Sequence, residues 1–157
     1  MSHDEPLRNE TEGERLDRNW AELLQEMRVM QTGVQLIAGF LLTLPFQPAF
    51  SHLDQLQRGL YLILVVLSGG TTALMLVPIA VHRRLFGQHV KQKLVSASHT
   101  LVRVALMAIG LVAVGIVTLV FDVVLGRGPG AVTLGVSLVV VLVLLLVVPW
   151  RVARADD

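Results

Sequence analysis

Residues 138–149 read LVVVLVLLLVVP, a run without one polar side chain. A helix that is apolar all round has no face to turn to water, so it is either buried deep in a large protein or lies in lipid. Extended back to Ala131 and stopped at Val148, the run gives about 27 Å of helical rise, close to the ~30 Å of a bilayer's hydrocarbon core. Upstream, VALMAIGLVAVGIVTLVF from Val104 to Phe121 carries a single threonine. Two further stretches are long and apolar enough, which places spans at 29–46, 60–81, 101–123 and 131–148. The totals agree: 157 residues, 54% of them hydrophobic, with a mean hydropathy of +0.66. A soluble bundle of four helices would keep polar outward faces, and the last two segments have none. The expected fold is all-α, an integral membrane four-helix antiparallel bundle with an amphipathic helix added at its N-terminus.

Residues 1–28 are hydrophilic and lack the short apolar core of a cleaved leader, so the first span is expected to act as its own insertion signal. With no cysteine there is no disulfide framework, thiol chemistry or thiolate metal site. A formal charge of +1 gives no reason to expect nucleic acid. The placement of charge says more. Arg8, Arg15, Arg18 and Arg28 precede the first span; Arg83, Arg84, Lys91, Lys93 and Arg103 surround the second connection; Arg151 and Arg154 lie in the tail. The other two connections hold only Arg58 and Arg127. Basic residues accumulate on the cytoplasmic side, so both termini are expected there, in a bacterial inner membrane.

The chain therefore divides into an acidic, disordered start (1–14), an amphipathic cytoplasmic helix (15–28), a four-span domain (29–149) and a short cytoplasmic tail (150–157). Leu16, Trp20, Leu23, Leu24 and Met27 recur at helical spacing before the first span. That helix either runs straight into the span or lies on the membrane surface. Pro45 and Pro48 are expected to close the first helix and SHLD, residues 51–54, to cap the second. GRGPG, residues 126–130, reads as a tight turn. The middle connection reads as helical extensions of spans two and three, broken near Gly87. No internal repeat is evident.

Polar residues inside the spans need partners that lipid does not supply. Arg28, Gln31 or Thr32, Gln35, Gly39 and Thr43 fall along one helical face, and an amide bared to hydrocarbon costs several kcal/mol. Against another helix it contributes about 0.6 to 2 kcal/mol. This face is expected to turn inward and to meet Ser68, Thr71 and Thr72 of the second span. The candidate polar inter-helix face is thus Gln31, Thr32, Gln35, Ser68 and Thr72, as structural glue or as the lining of a path. Gly69 with Ala73, Thr133 with Ser137 and Ala131 with Gly135 are small or hydroxyl pairs that let helices approach closely. At the inner surface Glu22, Glu26, Arg83, Arg84 and Arg103 form a candidate ion-pair layer, or one that holds anionic lipid head groups.

Catalysis and coupling have little to stand on. Apart from Asp122, at the outer end of the third span, no acidic residue lies within a span, whereas proton- and ion-coupled carriers commonly place one deep inside. Asp54 belongs to the first outer connection. Asp122, at the outer end of the third span, is expected to pair with Arg127 or Arg58. His82, His89 and His99 sit in cationic surroundings that oppose a divalent ion, and no phosphate loop, nucleophile elbow or zinc-protease helix is present. No catalytic, cofactor or metal site is expected.

ELLQEMRVMQTGVQLIAGFLLTLPFQPAF, then LDQLQRGLYL and PIAVHRRLFGQH, resemble the small four-span proteins of high-GC bacteria grouped as domain of unknown function 6328. The resemblance is carried by Gln31, Gly33, Gln35, Gly39, Pro45 and Phe46, and by Arg58, Gly59, Tyr61, His82 and Arg83. It implies a membrane protein and no activity, substrate or cofactor. The reading that follows is a non-enzymatic assembly or accessory subunit. The alternative is a small oligomeric transporter or channel working along the polar face of spans one and two. A third reading is a lipid sensor acting through the basic connection. The partners expected are the bilayer, a second copy or another membrane protein, and anionic lipid.

Overall fold

The computed structural model describes residues 11–85 and 91–155. The side chains of residues 81–85 and 91–99, and a few others, lie outside the described set. Five helices follow in order: α1 (Glu12–Thr43), α2 (Gln55–Leu85), α3 (Lys91–Leu125), α4 (Arg127–Leu142) and α5 (Val148–Ala155). Short 3₁₀ turns at Leu44–Phe46 and Pro48–His52 join α1 to α2. A π turn, Val143–Val147, joins α4 to α5 without a break. There is no strand among the described residues, and four helical stretches are long and apolar enough to cross a membrane. The chain is an all-α membrane protein.

The amphipathic segment and the first span are one helix. Thr11 caps it: its hydroxyl accepts from the Glu14 N–H, and the Glu14 carboxylate accepts from the Thr11 N–H at 2.9 Å. This is a capping box, spelled T-x-x-E in the sequence. At the far end α1 stops at Thr43, short of Pro45, whose missing N–H cannot continue the ladder. The Asp54 carboxylate then caps α2, accepting from the N–H groups of Leu56 and Gln57 at 2.9 and 3.0 Å. The helical extensions of spans two and three are present, α2 to Leu85 and α3 from Lys91, while the break near Gly87 lies outside the described residues.

Two apolar clusters set the directions of the helices. In one, Leu23, Met27 and Val34 of α1 meet Met75 of α2 and Val102 and Ala105 of α3. In the other, Leu41 of α1 meets Tyr61 and Leu64 of α2 and Leu119 of α3. Early residues of α1 thus pack on late residues of α2 and early ones of α3. Neighbours in sequence are antiparallel, and α1 runs parallel to α3. The Tyr61 hydroxyl donates to the Leu41 carbonyl at 3.1 Å, and the Phe50 ring stands edge-on to Tyr61. Fully buried Pro78 lies within α2 and removes one ladder donor there.

The fourth helix is placed differently. It packs on α3 and makes no comparable contact with α1 or α2 among the described residues. The GRGPG turn is also tighter than its composition suggests, because Gly126 alone turns the chain and α4 begins at Arg127. Gly126 sits at φ +93°, a backbone region that side chains disfavour. Further along, the Val148 N–H bonds back to the Val143 carbonyl, five residues away. Pro149 explains this π turn: its ring would strike the Leu145 carbonyl in a regular helix, and the wider turn moves that carbonyl aside.

Close approach of α3 to its neighbours depends on glycine. A Cβ on Gly115 would collide with the Leu64 side chain, which is fully buried. A Cβ on Gly110 would come within 2.7 Å of Val141, and one on Gly130 within 2.8 Å of the Asp122 Cβ. At Gly135 nothing lies within 4 Å. Overpacking costs about 1 to 3 kcal/mol. Gly115→Val is therefore expected to lower the melting temperature in detergent measurably, while Gly135→Val leaves it near wild type; equal behaviour of the two would refute the α2–α3 packing described here.

Candidate functional site

The hydroxyls of α2 are satisfied inside their own helix. Ser68 donates to the Leu64 carbonyl at 2.8 Å, Thr71 to Leu67 at 2.7 Å and Thr72 to Ser68 at 3.0 Å. A β-hydroxyl on a helix reaches the carbonyl one turn back without leaving its rotamer, and in lipid that bond removes the polar penalty outright. Ser68 is fully buried, Thr71 buried and Thr72 half-buried. These three do face the interior. Their protons, however, are committed, and none reaches a glutamine of α1. On α4, Ser137 likewise donates to the Thr133 carbonyl at 2.6 Å. Thr118 of α3 differs, since its hydroxyl is buried and has no partner among the described residues.

The glutamine face corrects the expectation drawn from its polarity. Thr32 and Gln35 are exposed, and Gln31 is half-buried at the edge of the packed face. The reason is register. Leu23, Met27, Met30, Val34, Ile37 and Leu41 recur at four- and three-residue intervals, and this apolar seam takes the inner side. Burying the Gln35 face instead would bare that seam's larger packing surface. Thr32 answers its own need by donating to the Arg28 carbonyl at 2.9 Å. Gln35 has no such recourse, and its amide has no partner in the described chain. It lies seven residues beyond Arg28, about 10 Å along the helix, well inside the apolar stretch.

The outer end carries a polar clasp. The Gln57 amide donates to the Asp122 carboxylate at 2.7 Å, tying α2 to α3. Arg127, at the start of α4, pairs with Asp54 at 2.7 Å and lies 4.0 Å from the other Asp122 oxygen. Arg58 donates to the Ser51 carbonyl at 2.9 Å. The expected Asp122 pairings thus hold only at the margin for Arg127 and not at all for Arg58. Gln57 is the main partner. Asp54 is held below the ordinary carboxylate value of 3.8, chiefly by the Gln57 backbone N–H, with Arg127 and the Leu56 N–H adding to it. Helix caps, a turn and three helices meet here, which suits a structural clasp.

At the inner end Glu22, Glu26 and Arg103 are exposed, and no ion pair joins them. The side chains of Arg83 and Arg84 lie outside the described residues, as do those of His82, His89 and His99. Among the described residues no group of histidines and carboxylates is arranged for a metal ion. In the tail, the Arg154 guanidinium stacks 3.8 Å from the Trp150 ring centre, an arrangement suited to a membrane surface. Between α3 and α4 an apolar groove of about 490 Å³ is lined by residues such as Val117, Phe121, Val132 and Val136.

Compared with known proteins, residues 9–149 match the family model described as "Family of unknown function (DUF6328)". No curated protein and no solved structure matches the chain.

Two outcomes test the clasp. A carboxylate whose folded pKa is depressed contributes stability that is complete above its unfolded value and lost as pH falls through the folded one. Melting temperature is therefore expected to fall as pH drops below 3.8, with a smaller fall for Asp54→Asn, which keeps a capping oxygen but cannot ionise. Asp122→Ala is expected to cost about 1.5 to 3 kcal/mol through loss of a charge-assisted hydrogen bond, read by chemical or thermal unfolding in detergent. A variant as stable as wild type would remove the Gln57–Asp122 contact from the account.

Proposed function

The chain belongs to the family of unknown function DUF6328, and from that premise we propose that it is a non-enzymatic membrane protein that acts by assembling with other membrane components. The observation that carries this is Gln35, an unpaired amide on the outward side of a helix built to lie in lipid. Hydrocarbon offers that amide nothing, whereas a protein surface does. The rest of the bundle is consistent with a scaffold. Its interior is closed by Leu64, Met75, Val112 and Val114, and the hydroxyls that a path through one chain would use are turned back to their own carbonyls. In this reading the protein sits in a bacterial inner membrane with both termini cytoplasmic, as the basic segments favour.

Native mass spectrometry of the tagged full-length protein, extracted gently from its own membranes, tests the proposal. The expected result is a defined species heavier than one chain, either a homo-oligomer or a stoichiometric complex with another protein. A monomer carrying only lipid would overturn it.

A further inference from the structure

Alpha-helix α1 carries two seams. The inner one is covered by α2 and α3. The second runs through Gln25, Arg28, Thr32, Gln35, Gly39 and Leu42, again at alternating three- and four-residue intervals, on nearly the opposite side of the helix. Every one of these residues is exposed in the single chain. Resting on the assembly reading above, we infer that this outer seam of α1 is a homodimer contact, in which Gln35 of one chain hydrogen-bonds Gln35 of a second copy.

The identity of the partner follows from symmetry and chemistry. Two copies inserted with the same topology run parallel, and a twofold axis along the membrane normal sets each seam residue against its own counterpart. Most polar groups fail at such a contact because like meets like. An amide does not, because it carries donor and acceptor together. Within the apolar stretch the seam bears no charge, so nothing in it calls for a partner of opposite sign; Arg28 marks the point where the seam leaves the hydrocarbon. One turn beyond Gln35, Gly39 has nothing within 4 Å of its missing Cβ, which leaves room for a second helix to come close. A single polar residue in a heptad seam also fixes register and copy number in coiled coils.

The fourth helix, α4, offers a contrasting face. That helix is also uncovered on one side, where it presents Val132, Val136, Val139 and Leu142. Lipid satisfies such a surface completely. The outer seam of α1 is the exposed face that lipid leaves unsatisfied.

The chain has no cysteine, so single cysteines report contacts cleanly. Full-length Thr32→Cys, Gln35→Cys and Gly39→Cys variants would be oxidised in their native membranes beside Val29→Cys, Phe40→Cys and Val136→Cys, whose positions are similarly exposed. Disulfide-linked dimers at 32, 35 and 39 but not at the other three positions are expected. With Gly39→Cys as reporter, adding Gln35→Leu is expected to weaken dimerisation about three- to thirty-fold. Dimers confined to the control positions, or no effect of Gln35→Leu, would overturn this seam while leaving assembly intact. Cross-linking at 32, 35 and 39 to a different protein would overturn the second copy alone. No cross-link at any position, together with a monomer in native mass spectrometry, would overturn both readings.

Discussion

Lipid supplies no hydrogen bonds, and that deficit organises the polar contacts inside the spans. Each serine and threonine hydroxyl of α2 folds back on the preceding turn, Ser137 does the same on α4, and Tyr61 of α2 reaches across to the Leu41 carbonyl. None of these bonds is strong in water, where both partners have alternatives. In hydrocarbon the alternative is an orphaned group, so a small hydroxyl on a helix is nearly self-sufficient. A glutamine is not. Its amide projects too far to reach its own backbone ladder easily, and it therefore has to find its partner outside the helix.

That difference explains the arrangement of the bundle. The second helix turns its hydroxyls inward at little cost, and the third uses glycine to pack tightly on it, as Gly115 does against Leu64. The first helix carries amides, and none of them meets a hydroxyl of α2, whose protons go to their own carbonyls. Its apolar seam goes inward, and Gln35 goes out. Charged groups are kept to the ends. The outer clasp of Asp54, Gln57, Asp122 and Arg127 stands where three helices begin or finish, so one set of side chains caps, pairs and joins them together.

Family membership leaves the activity open. Among the described residues, α4 presents a purely apolar exposed surface, whereas the exposed side of α1 also carries Thr32 and Gln35.

Class, number of spans and most helix ends were legible in the residues. A run such as 138–149 has no other stable home than lipid, and Pro45, Asp54 and Gly126 mark boundaries through backbone chemistry that acts within a few residues. The T-x-x-E cap at Thr11 starts α1 inside a stretch whose acidic composition reads as disordered, so that helix begins earlier than expected. What the order of residues could not decide was direction. Gln35 and Val34 are neighbours in the chain, and periodicity reveals two faces on α1 without saying which is covered. That choice is made by the total packing of Met27, Val34 and Leu41 against two other helices. The Gln57–Asp122 bond spans 65 positions, and only the meeting of α2 with α3 brings its ends together. The packing of α4 on α3 is of the same kind, because an all-round apolar helix carries no mark of which side will be packed.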